Sequence, residues 1–404
     1  MKKIMLSAVA AVIAVAMHGQ TVLVEQAREG AARFLQSRVM TGKENKADTA
    51  VPLQLAAQVG ECCLFNAADG GWVVATVQDG EARVMAYGDS GSIDSESLPE
   101  NMQAWLAACG EYSLTVPNTT GADEREDIAP MLKTQWGQDA PYNSLCPLVL
   151  GEDCVTMVHA VAGCANVALA QLLNYHQWPR SCDEVTYRWL GYPGMEPQDH
   201  GTLPATTFDW EAMAEEDEAG RNEVAKLLQY VGYANSTIYR WDASTTYAQR
   251  INNTLTAFGY DVTQAEFGAF DNVPFSDAAI YQELAAKRPA LLVIEAIDNN
   301  DAHVCVIDGY RNDGFYHINW GWEGQGDGYF LLPTSRIVTE NISTRFFVQL
   351  MITAKIKNDY ANISGTRLRD FTNGSSLFDL QGRRLATQPR RGLYIKDGRK
   401  MVVK

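Results

Sequence analysis

Gly163-Cys164-Ala-Asn-Val-Ala-Leu-Ala-Gln-Leu-Leu-Asn-Tyr-His-Gln-Trp-Pro179 is the stretch on which the reading of this chain turns. Small or apolar residues recur at Ala165, Ala168, Leu169, Leu172 and Leu173, the spacing of one buried helix face. Pro179 marks the stop, because proline cannot continue a helix and restricts the residue before it. Cys164 then falls at the helix N-terminus, behind a glycine that permits close approach. Unpaired amides and the helix dipole favour negative charge there, which lowers a thiol pKa toward the thiolate a nucleophile needs. The same cysteine also reads as a small buried hydrophobe or half of a disulfide. The rest of the chain has to decide.

Around that stretch lie 404 residues with a formal net charge of −16, long enough for two or three domains. The acidity argues against nucleic acid or an anionic membrane as the main partner. Lys2 and Lys3 precede an apolar run from Ile4 to Met17, so residues 1–20 read as a secretory signal peptide. No later run is long enough to span a bilayer, and the expected product is secreted. Export permits disulfides, and Cys146, Cys154 and Cys182 are close enough in sequence to include one bridge. No Cys-x-x-Cys or His-Glu-x-x-His pattern occurs, so no metal is expected.

Upstream, helical spacing over Val24–Met40 is followed by strand-like runs at Val51–Val59, Cys62–Asn66, Gly71–Val77 and Ala82–Tyr87. Asp-Gly pairs at 69–70 and 79–80 suggest hairpins, and Leu98–Cys109 reads as a short helix. This α+β unit assembles no chemistry. Residues 114–130 are polar and acidic with Pro and Gly, as at a domain boundary open to proteolysis. Beyond it, Gln138 sits in a turn-rich segment that leads to Cys164. Its side-chain amide could donate to a developing oxyanion, or simply lie on a surface loop.

Downstream, helical patterns at Asn222–Val231 and Tyr247–Phe258 precede strands at Ala290–Ile297, His303–Asp308, Phe315–Trp320 and Tyr329–Leu332. The Asn312-Asp-Gly314 turn folds the second of these back on the third. His303 should therefore face the Asn319–Trp322 end of the returning strand. A thiol at a helix N-terminus, an imidazole on a strand and an amide beside it form a nucleophile–base–orienter set.

At these residues the chain resembles the streptopain family of papain-like cysteine peptidases. Four ordered segments carry the resemblance: Gly163-Cys164 through Ala170-Gln171 and Tyr175-His176 to Pro179; His303-x-x-Val306-Ile-Asp-Gly309; Phe315 to Trp322; and Gln138-x-x-Pro141-Tyr-Asn143. The resemblance implies an α+β papain-like fold, a helical subdomain beside an antiparallel β subdomain. It implies Cys164 as nucleophile, His303 as general base then acid, and Gln138 with the Cys164 amide as oxyanion hole. Asn319 would orient His303, and Trp320 would shield that contact. It further implies that residues 21–125 are an inhibitory propeptide, 126–355 the catalytic domain, proteins or peptides the substrates, and that no cofactor takes part. The chain departs from the family pattern at Ala165-Asn166-Val167, where Val-Ala-Thr is usual, and at Asn300-Asp301-Ala302, where glycines are usual.

Residues 356–404 alternate strand-like runs with turn glycines, and resemble a shortened sorting tail of the kind read by type IX secretion machinery. Two other functions fit a thiol and an imidazole. One is an inactive peptidase homologue serving as a surface adhesin or inhibitor, and the other a transglutaminase-type acyltransferase.

Overall fold

The computed structural model describes residues 22–38, 51–94, 98, 102, 105–106, 125–189, 191, 195–215, 217–267, 277–296, 301–332, 347–356, 377–378, 392–396 and 399–403. The signal peptide, most of the 114–130 linker, Cys109 and Asn300 lie outside them. Helix α1 covers 22–38 and turns Ala27 and Ala31, four residues apart, into the core. Four strands follow: β1 (Leu53–Val59), β2 (Cys62–Ala67), β3 (Trp72–Gln78) and β4 (Glu81–Gly88), joined as an antiparallel meander. Residues 102, 105 and 106 are helical, where the sequence suggests a short helix.

The chain then pins itself to the later strands, Ile128 exchanging both backbone hydrogen bonds with Tyr310 at 2.7 and 2.8 Å. A short hairpin, β5 (Leu148–Leu150) and β6 (Met157–His159), precedes helix α2 (Cys164–His176). Helices α3 (Glu218–Ala234) and α4 (Ala248–Ala257) come next, then β7 (Tyr260–Phe267) and α5 (Asp277–Ala285). The sheet is completed by β8 (Ala290–Ala296), β9 (Asp301–Tyr310), β10 (Tyr316–Asn319), β11 (Gly328–Phe330) and β12 (Phe347–Ile356). Periodicity anticipates α3, α4 and the β8–β11 cluster, but not β5, β6, β7, α5 or β12.

Among the described residues ten strands form one sheet in the order β1-β2-β3-β4-β11-β10-β9-β8-β12-β7. The N-terminal meander is thus spliced onto the later strands through β4 and β11, where Tyr87 pairs with Tyr329 and Ala86 with Phe330. The seam is aromatic. Tyr87 stacks on Tyr329 at 5.1 Å and meets Phe34 and Phe315 at 5.1 and 5.2 Å, while Phe330 packs against Trp72, Trp105 and Trp320 at 5.1–5.8 Å. Each such ring pair adds about 0.5–1.5 kcal/mol beyond its buried area. Around this seam Arg38 pairs with Asp313, and Arg311 reaches Asp89 at 2.8 Å and Asp127 at 3.4 Å. The Arg311 pairs are partly exposed, worth about 0–1 kcal/mol apiece, so the rings and the shared sheet dominate the junction.

The proximity of Cys146, Cys154 and Cys182 in sequence does not lead to a bridge; all three are free thiols. The reason lies in the elements that hold them. Cys146 is buried after the Asn143 turn, Cys154 is exposed near the β5–β6 tip with φ 56°, and Cys182 pairs across a two-residue ladder with Thr206.

Residues 356–404 are a separate unit holding a three-stranded antiparallel sheet of β13 (Leu377–Phe378), β14 (Gly392–Lys396) and β15 (Arg399–Val403). Among the described residues no helix is long and apolar enough to cross a membrane.

Candidate active site

Helix α2 begins at Cys164, with Gly163 as its N-cap at φ 89°. A side chain at Gly163 would suffer twice: the backbone is left-handed, and a Cβ would stand 2.8 Å from the Ser244 carbonyl oxygen. The helix ends at His176 rather than at Pro179, because Gln177 turns left-handed at φ 48° and donates its amide back to Asn174 and Leu173. The sequence implies one buried face, yet every residue from Ala165 to Leu173 is buried. The two polar side chains in that run, Asn166 and Gln171, must therefore find partners inside the protein.

Asn166 comes first, two residues after Cys164. Its Nδ2 donates to the Ala162 carbonyl at 2.8 Å and to Thr237 Oγ1 at 2.9 Å, and its Oδ1 accepts from Asn235 Nδ2 at 2.8 Å. Asn166 is thereby tied to the segment just after α3, and it braces the turn that delivers Cys164. Gln171, fully buried, donates from Nε2 to Asn319 Oδ1 at 2.9 Å. Its Oε1 accepts from Thr134 Oγ1 at 2.8 Å and from the Trp136 amide at 3.4 Å. Leaving such a buried amide unpaired costs about 1–3 kcal/mol. The signal for both residues was present in the sequence: α2 has no Asp, Glu, Lys or Arg, so its polar side is not built for water.

Gln138 is nearly buried, and its carbonyl accepts from the Ala162 amide at 2.8 Å, which ties its turn to the residue two before Cys164. Cys164 and Gln138 are thus brought to one corner. Cys164 itself is half-buried, the most accessible member of the predicted set.

β9 carries the histidine and packs against α2. The ladder with β10 pairs Val306 with Asn319 and Gly309 with His317, with a bulge between Ile307 and Gly309. That register sets His303 against the turn after β10, as the Asn-Asp-Gly signal implies. His303 is 1% exposed, its Nε2 lies 3.0 Å from the Trp320 carbonyl oxygen, and its ring stacks on Trp320 and Trp322 at 5.7 and 6.2 Å. Nε2–H therefore donates to the carbonyl, and Nδ1 carries the lone pair. Nδ1 is buried with no hydrogen-bond partner among the described residues. Burial pulls the imidazole pKa down to about 4, against a smaller upward pull from the Trp320 carbonyl. Two residues on, burial pushes the Cys305 thiol well up, with the field of Cys164 adding to it.

Asn319 does not spend its side chain on His303 in this structure. Its Oδ1 accepts from Gln171 and from the Gly321 amide at 3.0 Å, and its Nδ2 donates to the Thr134 carbonyl at 2.9 Å. Trp320, completely buried, supplies the carbonyl and a stacked ring. Its amide donates to Asp327 Oδ1 at 2.8 Å, closing the glycine-rich turn. Burial raises the Asp327 carboxyl to about 7, opposed by that amide and by His317. Sequence reasoning missed Asp327, and also the buried Asp308 that holds His317 Nδ1 at 2.6 Å.

Comparisons with known proteins bear on the family and the fold. Residues 136–330 match the peptidase C10 family, and residues 19–113 match the Spi protease inhibitor family. Streptopain of Streptococcus pyogenes serotype M1 is 26% identical over 295 residues, covering 67% of this chain and 73% of that protein. The thiol protease/hemagglutinin PrtT of Porphyromonas gingivalis is 24% identical over 297 residues, 67% of this chain and 33% of that protein. In fold, the chain is similar to a prointerpain A fragment from Prevotella intermedia, with a TM-score of 0.57, 24% identity and coverage of 75% of this chain and 98% of that one.

Proposed function

We propose that this chain, a cysteine endopeptidase zymogen that joins a Spi protease inhibitor domain to a peptidase C10 domain, cleaves proteins through Cys164 with His303 as the base. The observation that carries the assignment is the corner itself: a half-exposed thiol at the first turn of α2, the Gln138 turn bonded to Ala162, and His303 on the strand packed against that helix. The Cys164 sulfur, its proton held by His303, attacks the scissile carbonyl carbon. The resulting oxyanion is held by the Gln138 side chain and the Cys164 amide. His303 then gives its proton to the departing amine as the C–N bond breaks, leaving a thioester on Cys164. Water, deprotonated by His303, attacks the thioester; the carboxylic acid leaves and the thiol is restored. Trp320 orients His303 through its carbonyl and covers it with its ring, and Asn319 acts by holding the turn that carries that carbonyl.

In the precursor, residues 21–125 serve as the inhibitor, the chain is cut within the 114–130 linker during activation, and residues 126–355 form the enzyme. The N-terminal run directs export, and residues 356–404 are a module for secretion machinery. Purified residues 21–404 as wild type and as Cys164→Ala test this reading. The wild type should shed about a hundred N-terminal residues, a mass fixed by the proposed boundary, and gain thiol-inhibitable casein hydrolysis. The variant should stay intact and inert. Equal cutting of both, with no casein hydrolysis, contradicts the role of Cys164.

A further inference from the structure

We infer that Gln171 is a positioning residue for the peptidase reaction, tying the nucleophile helix at once to the segment that carries the histidine contact and to the segment that leads to Gln138. The inference rests on the roles proposed above. Gln171 stands seven residues after Cys164, two turns along α2, and is fully buried. On one side its Nε2 holds Asn319 Oδ1 at 2.9 Å. That same oxygen accepts the Gly321 amide at 3.0 Å, so it fixes the turn whose Trp320 carbonyl meets His303 Nε2 at 3.0 Å. On the other side its Oε1 gathers Thr134 Oγ1 and the Trp136 amide, two residues before Gln138. Asn319 closes the ring by donating to the Thr134 carbonyl at 2.9 Å. One amide therefore sets the spacing between thiol, imidazole and oxyanion site, and does so without touching substrate.

A primary amide is the group this position needs. Asn319 Oδ1 and the Thr134/Trp136 donors present opposite polarity to the two ends of the same side chain, and only Gln offers a donor and an acceptor at that reach. Glutamate at 171 keeps the acceptor for Thr134 and Trp136 but turns an oxygen toward Asn319 Oδ1. Leucine loses both sides. The two variants thus separate the histidine side from the oxyanion side.

The test is the pH dependence of kcat/KM for processed wild type, Gln171→Glu and Gln171→Leu, each normalised by titration of active Cys164 with a thiol-directed inhibitor. The Trp320 carbonyl raises the imidazole pKa. Loosening its turn should therefore move the alkaline limb of Gln171→Glu to lower pH, with kcat down about tenfold and KM within twofold. Gln171→Leu should lose about a further tenfold in kcat as the Gln138 segment slackens. Gln171→Glu combined with Asn319→Ala should be no worse than Asn319→Ala alone, since both act through one contact. Should the leucine variant fail to fold, the glutamate variant and this double mutant decide the matter. Unchanged profiles per titrated site, or a uniform loss of kcat with unmoved limbs and additive double mutants, would overturn the inference. A wild type without thiol-dependent activity would instead strike at the proposed function, not at Gln171.

Discussion

The two ends of the active site are built differently. At the nucleophile end, Cys164 is half-exposed on the first turn of a helix, and the turn before it is braced by Asn166, Ser244 and the Gln138 carbonyl. At the histidine end, His303 is buried and stacked on two indoles, with its charged form disfavoured and its Nε2 bonded to a backbone carbonyl. The aromatic seam that joins the N-terminal meander to the sheet packs directly on Trp320 through Phe330. Among the described residues the N-terminal domain thus reaches, through Phe330, the indole that covers the base. The contrast predicts that removing the N-terminal domain changes the imidazole's surroundings more than it changes the nucleophile corner.

Changes made at each end should separate accordingly. The larger effect is expected at the nucleophile end, where Gln138→Ala removes a donor to the oxyanion. Processed enzyme should lose about 10²–10³ in kcat, while alkylation of Cys164 proceeds at the wild-type rate, since the thiol is not altered. A parallel fall in alkylation would show that Gln138 builds the corner and does not act on the oxyanion.

A smaller effect is expected at Asp327, which grips the Trp320 amide from behind. Its folded pKa of about 7 stands above the ordinary 3.8, with burial as the main cause and Asp308 adding to it. Folding therefore binds a proton between those pH values, and this group's contribution is present at the acid end and lost as pH rises through about 7. Asp327→Asn keeps an acceptor for the amide and discards the titration. Between pH 5 and 8 the variant's melting temperature should gain on the wild type by about 2–4 °C. A constant difference across that range would mean that the carboxyl titrates elsewhere.

The same contrast explains what could be read from the sequence. The nucleophile end is local: Gly163, Cys164 and the α2 periodicity lie in one segment, and helix physics alone places the thiol. The Asn312-Asp-Gly314 turn likewise sets His303 against the Trp320 turn within a few residues. What could not be read is long-range and polar. That Asn319 would be consumed by Gln171, Gly321 and Thr134, leaving His303 to a carbonyl, depends on how α2 lies against β10. Pairing of β4 with β11 was equally hidden, because no local pattern says that a meander with its own alternation will extend a second sheet. No local pattern announces α5, which is short and whose apolar positions do not form a clear stripe.

The account is tested most directly by the pH dependence of Cys164 alkylation. Iodoacetamide is applied as a short pulse to fresh precursor and to processed enzyme, and labelling is mapped by mass to the Cys164 peptide so that exposed Cys154 does not interfere. Processed enzyme should show fast alkylation from mildly acidic pH upward, as an imidazolium partner stabilises the thiolate. The precursor, with His303 buried and neutral, should lack that acid-side limb and gain reactivity only as the thiol itself ionises. An acid-side limb of equal height in the precursor would contradict the prediction that processing acts on the histidine end.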